Sequence, residues 1–355
     1  MTLLLEFKEK LKRIYGKHSG YINPILKFIL AMVVFTSINS AIGFLPFFTN
    51  IFVVLVLALI CCIMPNQILV VVAGIMIIGH SYALGIEAAG IAIVLILLME
   101  ILCLRFVSKD CLAMLFMPLA LRFGITALIP IGYGLKRNPS SVLTIGCGTI
   151  TYYFIETLKE KAPVLQGSTA DDITSRLKLI MDGIFKNQTM MIQLMAVIIV
   201  VLVVYGLRKL DIDFAWHIAI VLGSVVYIAV MMAGGLVLDA SISLIPLIAG
   251  TIGSCILAFV FQFLVFNVDY SRAERLEYED DEYYYYVKAI PKISITAAQR
   301  EIKTFSDEPD SIYEEPTVEV RHEEIPEESN LEEPNPVSVE DLDLERKLEE
   351  SLKNL

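Results

Sequence analysis

The amino-acid sequence predicts an all-α polytopic membrane protein: a transmembrane bundle of about eight spans with one broken or re-entrant helix, followed by a largely disordered acidic tail. Three observations predict it. From about Ile25 to Phe266 apolar runs follow one another almost without pause, most plainly at 51–60 and 197–204, and a spanning helix needs roughly 20 mostly apolar residues. Charge is divided, with 18 basic and 13 acidic residues before Asn267 but 10 basic and 26 acidic residues from there on. After Phe266 the apolar density collapses into a Glu-, Pro- and Ser-rich sequence that cannot bury a core. The net charge of −11 therefore describes the tail. With no basic stripe in it, the tail argues against nucleic acid as a partner. Four regions follow: a basic amphipathic helix at 1–24, the bundle at 25–266, a juxtamembrane acidic and Tyr-rich segment at 267–304, and the tail at 305–355.

In the first region Leu3, Leu4, Phe7, Leu11 and Ile14 recur at helical spacing, with Lys8, Lys10, Lys12, Arg13 and Lys17 between them. Such a helix lies flat on an anionic leaflet or stands as a solvated juxtamembrane helix, and both readings stay open. More than two dozen residues, Glu6 and Glu9 among them, precede the first apolar run. That run reads as an uncleaved anchor.

Candidate spans lie at 25–45, 47–64, 67–85, 87–104, 111–129, 140–158, 189–207, 214–235 and 243–266, with Pro46, Pro65 and Pro130 at their borders. The segment 111–129 is interrupted by Pro118, Arg122 and Gly124, and 140–158 is dense in Gly and Thr. Cytoplasmic loops carry an excess of Lys and Arg, which arbitrates between topologies. With a cytoplasmic N-terminus, four spans return the chain to the inside at Arg105 and Lys109. If 111–129 then crossed, Lys136, Arg137, Arg208 and Lys209 would fall outside; if it dips in and returns, all fall inside. The second solution fits better and puts both termini in the cytoplasm. It leaves 159–188 as an external loop. There Ile173, Leu177, Ile180 and Ile184 line one helical face, and Thr169 with Asp172 can cap its start.

Ionisable groups at membrane depth are costly and carry functional weight. Arg122 is the leading case, with Glu100 in the preceding span as its counter-charge. Pro118 and Gly124 break the helix around it, and broken helices offer free backbone groups to a solute or ion. The alternative is an architectural pair that pins the hairpin. Thr144, Gly148 and Thr151 share a face suited to close packing, whereas Thr149, Tyr152 and Tyr153 would form a solute-lining stripe. Thr36, Ser37, Asn39 and Ser40 make a polar patch on the first span. His80 and Glu87 stand two turns apart as a relay pair or as solvated interfacial residues, and His217 beside Trp216 reads as an interfacial anchor. Met117-Pro118-Leu119 is echoed by Ile245-Pro246-Leu247 in the last span, a hint of paired interrupted helices.

All six cysteines lie in or beside apolar runs without a C-x-x-C pair, so they read as packing residues; no metal, disulfide framework or cofactor is expected. No Ser/His/Asp, H-E-x-x-H or paired-carboxylate arrangement emerges, and the expectation is a protein that is not an enzyme.

Beyond the bundle, Glu277, Glu279, Asp280, Asp281 and Glu282 precede Tyr283, Tyr284, Tyr285 and Tyr286. Segments 287–290 and 293–296 can form strands but are too few for an independent sheet. Leu344, Leu348, Leu352 and Leu355 share one face of a short charged helix that would order on a partner. The tyrosines and these leucines are the candidate docking residues. Val268-Asp269-Tyr270-Ser271-Arg272 and the run from Glu279 through Tyr283-Tyr284-Tyr285-Tyr286 to Pro291-Lys292 resemble the post-membrane segment of a poorly characterised family. Its members are polytopic membrane proteins of clostridia-type bacteria, often labelled transporter permeases. The resemblance implies a bacterial plasma membrane and supplies no site residues. Glu87-Ala88-Ala89 begins like the E-A-A-x-x-x-G loop of ATP-driven importers, but Ile93 holds the Gly position and no I-x-L-P follows. No phosphate-binding loop is present either.

The functional expectation is a transporter- or permease-like component of the cell membrane. The alternative is a scaffold in an envelope or division assembly, for which the bundle is an anchor. Expected partners are the lipid bilayer, a cytoplasmic protein recruited by the tail, and other copies or chains in an oligomer.

Overall fold

A computed structural model describes residues 2–167, 173–210, 212, 214–265, 274–279 and 284–289. Apart from one small hairpin of strands, it is helical. The elements are α1 (Thr2–Ile42), α2 (Pro46–Thr49), α3 (Ile51–Ile63), α4 (Asn66–Leu84), α5 (Ile86–Phe106), a 3-10 turn (Ser108–Asp110), α6 (Ala113–Arg122), α7 (Leu128–Lys136), α8 (Ser141–Gly167), α9 (Ile173–Phe185), α10 (Gln188–Arg208), α11 (Ala215–Val237) and α12 (Leu244–Val265). By length and composition, six described stretches can cross a membrane: Phe7–Ile42, Asn66–Leu84, Ile86–Phe106, Ile173–Arg208, Ala215–Val237 and Leu244–Val265. An integral, multi-pass membrane protein is built of such helices. α3 is apolar but has only 13 residues, and α8 has 27 but is diluted by Gly and Thr.

Local chemistry sets the element ends. Asn50 caps α3 by accepting from the Phe52 amide, and Asn187 caps α10 by accepting from the Met190 amide. Pro46 opens α2 and Pro65 precedes α4, at positions where a missing N–H costs nothing. α1 leaves helical geometry at His18 (φ −121°, ψ 24°), where Gly16, Gly20 and Pro24 weaken the hydrogen-bond ladder. The N-terminal arm before that kink reaches the last helix: Lys8 is buried with its Nζ 5.0 Å from the centre of the Phe263 ring. Phe7, Leu11 and Ile14 on its apolar stripe stay exposed, not covered by the bundle.

The segment expected to dip and return is a helical hairpin. α6 and α7 have 10 and 9 residues, about 15 Å each at 1.5 Å per residue, or half a bilayer core. Between them Gly124 takes a positive φ of 73°, a left-handed turn that a side chain would strain. The hairpin closes on itself: Arg137 after α7 meets Asp110 before α6 at 2.9 Å. Pro130 falls in the first turn of α7, where it breaks no bond.

Two buried clusters form the interior. The larger joins α1, α3, α4, α5 and α9 with parts of α6 and α8, and the second joins α7, α10, α11 and α12. Ala113, Met117, Ile145, Val197 and Val201 make a third between them, so the two arms of the hairpin belong to different clusters. Small residues permit the close approach: Gly148 of α8 lies where a Cβ would be 2.7 Å from the Met114 carbonyl oxygen of α6.

Contacts fix which loops share an end. Lys27 donates to the Met64 carbonyl (3.2 Å), and Arg208 donates to the Leu135 carbonyl. Lys27 also shares a recess with Lys109. Lys27, Lys109, Lys136, Arg137 and Arg208 therefore gather at one end. At the other end α9 rests on α5 and α8, with Arg176 3.9 Å from Glu87. Of the four residues expected to line its inner face, Ile180 and Ile184 are buried whereas Ile173 and Leu177 are exposed. Thr169 and Asp172 lie outside the described residues.

After the bundle, β1 (Glu274–Glu279) and β2 (Tyr284–Ala289) pair antiparallel, with Glu279 opposite Tyr284 and Glu277 opposite Tyr286. The bundle is all-α as expected; in the juxtamembrane segment Val287 to Ala289 form strand, as that sequence allowed, and pair with the acidic segment upstream, whereas 293–296 lies outside the described residues. Tyr283, the tail at 305–355, and Leu344, Leu348 and Leu352 lie outside the described residues.

Candidate functional site

A narrow slot of about 50 Å³ runs between α1, α4, α5, α6 and α8. Each helix gives it one face: Val34, Ser37, Ile38 and Ala41 of α1, Val70, Ala73, Gly74 and Ile77 of α4, and Met114, Leu115, Pro118, Leu119 and Arg122 of α6. These are the i, i+3, i+4 and i+7 positions of a helical stripe. Ile96 and Glu100 come from α5, and Thr151, Tyr152, Ile155 and Glu156 from α8. A water needs roughly 10–15 Å³ of such space, so the slot holds a few waters or a small ion.

Glu100 is the anomalous group. Its Oε1 is buried with no hydrogen-bond donor. It lies against Gly74, whose missing side chain makes the room: a Cβ there would collide with Oε1. A buried carboxyl oxygen without a donor costs free energy. A proton on the carboxyl, or a water in the slot, satisfies it.

Arg122 sits at the other end of the α6 face, exposed at the mouth, with Nη2 donating to Ser40 Oγ at 2.8 Å. Pro118 occupies the middle of the same face. Arg122, Glu100 and Pro118 thus line one slot. One detail differs from expectation. Among the described residues Arg122 and Glu100 form no ion pair, so the slot separates the charges along its length. Glu156 is a second carboxylate beside the mouth, shared at 3.8 Å with Lys159. Sequence reasoning missed it; the signal was its place one turn after Tyr152 on the slot-facing side of α8.

Two candidates lie elsewhere. Thr149 is buried and donates to the Ile145 carbonyl of its own helix (3.0 Å), outside the slot, whereas Thr151 lines it. Two residues rotate a helix position by about 200°, which turns Thr149 away. Gly124 is the hairpin tip. Its carbonyl oxygen abuts Gly250 of α12, where a Cβ would clash with it. Next to it Thr126 shares a 2.5 Å hydrogen bond with the Tyr227 hydroxyl, which donates to Gln193 Oε1 at 2.9 Å. The tip is thereby tied to α10, α11 and α12. α12 is one continuous helix with Pro246 in its first turn, so the echo of 117–119 at 245–247 does not mark a second interrupted helix.

The other polar candidates are structural in form. His80 Nδ1 accepts from the Leu45 amide (3.1 Å), which leaves Nε2 to donate to Asn39 Oδ1 (2.8 Å), and Asn39 Nδ2 donates to the Phe48 carbonyl (2.7 Å). Glu87 faces Arg176, so the His80–Glu87 pair is not assembled. His217 packs with Phe214 and Phe259 and hydrogen-bonds Gln262. All six cysteines are free, and the described residues hold no cluster of three metal-ligating side chains.

No protein-family model, curated protein or solved structure matches this chain.

Proposed function

We propose that this chain is a transport protein of a bacterial plasma membrane, with eight full crossings and a re-entrant hairpin, and that its slot conducts a small anionic solute. α3 and α8 complete the eight, as the second and fifth crossings in chain order. α3, about 20 Å long, is short for a core of about 30 Å and spans by local thinning of the bilayer. The observation that carries the transport reading is Glu100. An acid whose oxygen is buried without a donor has no architectural role to repay its cost, and it shares a slot with an arginine on a broken helix. Arg122 at the mouth attracts the anion, and the Ser40 hydroxyl beside it offers a further polar partner. The slot admits small inorganic or one-carbon anions and excludes larger metabolites.

The test is flux into proteoliposomes measured by solid-supported membrane electrophysiology over chloride, nitrate, formate and phosphate. The expected result is a current that Arg122→Gln lowers at least tenfold and that Glu100→Gln changes in pH dependence. Wild-type vesicles silent towards every anion would sink the reading. That silence would favour a membrane scaffold, which the tightness of the slot also suits. For a scaffold, removal of residues 267–355 should abolish co-purification of a cytoplasmic protein.

A further inference from the structure

The basic end of the bundle carries a second feature, independent of whether the chain transports anything. A groove of about 600 Å³ lies between the hairpin and α12. One wall is a single face of α7 that includes Ile129 and Gly132; the other is Leu257, Val260, Phe261 and Leu264, consecutive positions of one face of α12. From Leu128 to Lys136 the wall runs about 12 Å. Cations stand at one end only: Lys109, Lys136 and Arg137, with no carboxylate in the lining. Arg137 is engaged with Asp110, but Lys109 and Lys136 are exposed and have no ion-pair partner among the described residues.

The apolar wall faces outward. Leu257, Val260 and Leu264 are 41%, 50% and 41% exposed, and only 17% of the apolar window of α12 is buried, less than in any other candidate span. In a membrane this face meets acyl chains. Lys109 also borders two neighbouring recesses, one with Lys27 on α1 and one with Lys136 and Arg137. A soluble anion would use the cations and leave the apolar wall idle; a neutral lipid would use the wall and leave the cations unpaired. An anionic glycerophospholipid uses both.

We infer that the groove between the hairpin and α12 is a binding site for an anionic phospholipid, its phosphate between Lys109 and Lys136 and an acyl chain along Gly132, Val260 and Leu264. Basic pockets between helices at a membrane surface hold anionic headgroups by this combination of charge and apolar contact. Gly132 offers a clean probe, because a Cβ there meets nothing within 4 Å. Gly132→Phe therefore fills the groove while leaving both lysines in place.

The experiment is native mass spectrometry of the full chain in detergent, titrated with phosphatidylglycerol, phosphatidylcholine and glycerol phosphate. The expected result is phosphatidylglycerol bound at least tenfold more tightly than phosphatidylcholine, with no adduct of glycerol phosphate. Lys109→Gln with Lys136→Gln should erase the preference, and Gly132→Phe should weaken phosphatidylglycerol binding about tenfold. Lys178→Gln on α9 with Lys186→Gln just after it, at the opposite end, should change neither. Equal affinity for the two lipids in the wild type would overturn the site, as would loss of preference in the α9 variant. Strong glycerol phosphate binding would also overturn it, by pointing to a soluble anion. If the double lysine variant fails to fold, the lipid comparison on the wild type and on Gly132→Phe still decides the matter.

Discussion

A Cβ added at Gly74 would run into Glu100 Oε1 and come within 2.8 Å of the Ile96 side chain, whereas one added at Gly250 would run into the backbone carbonyl of Gly124. The two collisions differ in what can give way. A carboxyl group at the end of a flexible side chain swings aside; a hairpin backbone does not. Gly74→Ala is therefore expected to keep the melting temperature within a few degrees of wild type while altering flux through the slot. Gly250→Ala is expected to destabilise by about 1–3 kcal/mol, the usual range for overpacking. Thermal unfolding in detergent beside vesicle flux separates them, and a collapse of stability in Gly74→Ala would show that Glu100 is locked in place. At this scale the sequence was partly legible. Arg122, Glu100 and Pro118 stood out because charge and proline are rare at membrane depth. Gly74 and Glu156 did not, and Ser40 did only as part of the polar patch on the first span, because their roles depend on which helices become lateral neighbours. Thr149 was chosen over Thr151 because nothing in periodicity alone says which side of α8 faces the slot.

The hairpin α6–α7 is the element on which the candidate site depends. Its presence was readable from Pro118, Gly124 and Pro130 and from the placement of Lys136 and Arg137, since a chain that returns keeps its cations at one end. Its closure by Asp110 and Arg137 was not, because an ion pair across a 26-residue excursion leaves no periodic trace. With Asp110 buried and Arg137 44% exposed, the pair is half screened by water. A double-mutant cycle over Asp110→Asn and Arg137→Gln should give a coupling of about 1 kcal/mol, near the upper end for exposed pairs. A coupling indistinguishable from zero would mean that tip contacts alone hold the hairpin. At the tip, Gly124→Ala should cost about 1 kcal/mol, because its φ of 73° belongs to the left-handed region.

For the whole molecule, the contacts divide the exposed lysines into two sets. Lys17, Lys136 and Lys209 belong with the basic end, and Lys178 on α9 belongs with the other. Single cysteines at these positions, in a background without the six native ones, should react with an impermeant maleimide in two groups. Position 178 should label in intact cells, and 17, 136 and 209 only after the membrane is opened. Labelling of 136 together with 178 would mean that the segment after Asp110 crosses fully. The overall fold was largely legible because the bilayer imposes length, hydropathy and charge bias on every helix. The juxtamembrane strands were harder to read, since β1 is Glu-rich and Glu is depleted in strands.

The contact of Gly124 with Gly250 acts as a mechanical stop. Backbone rests on backbone with no side chain between to compress, so the hairpin cannot sink further unless α12 tilts. On the transport proposal, the slot would open by sideways travel of the last helix, not by a piston stroke of the loop. A lipid wedged along that helix would then set how far the door swings.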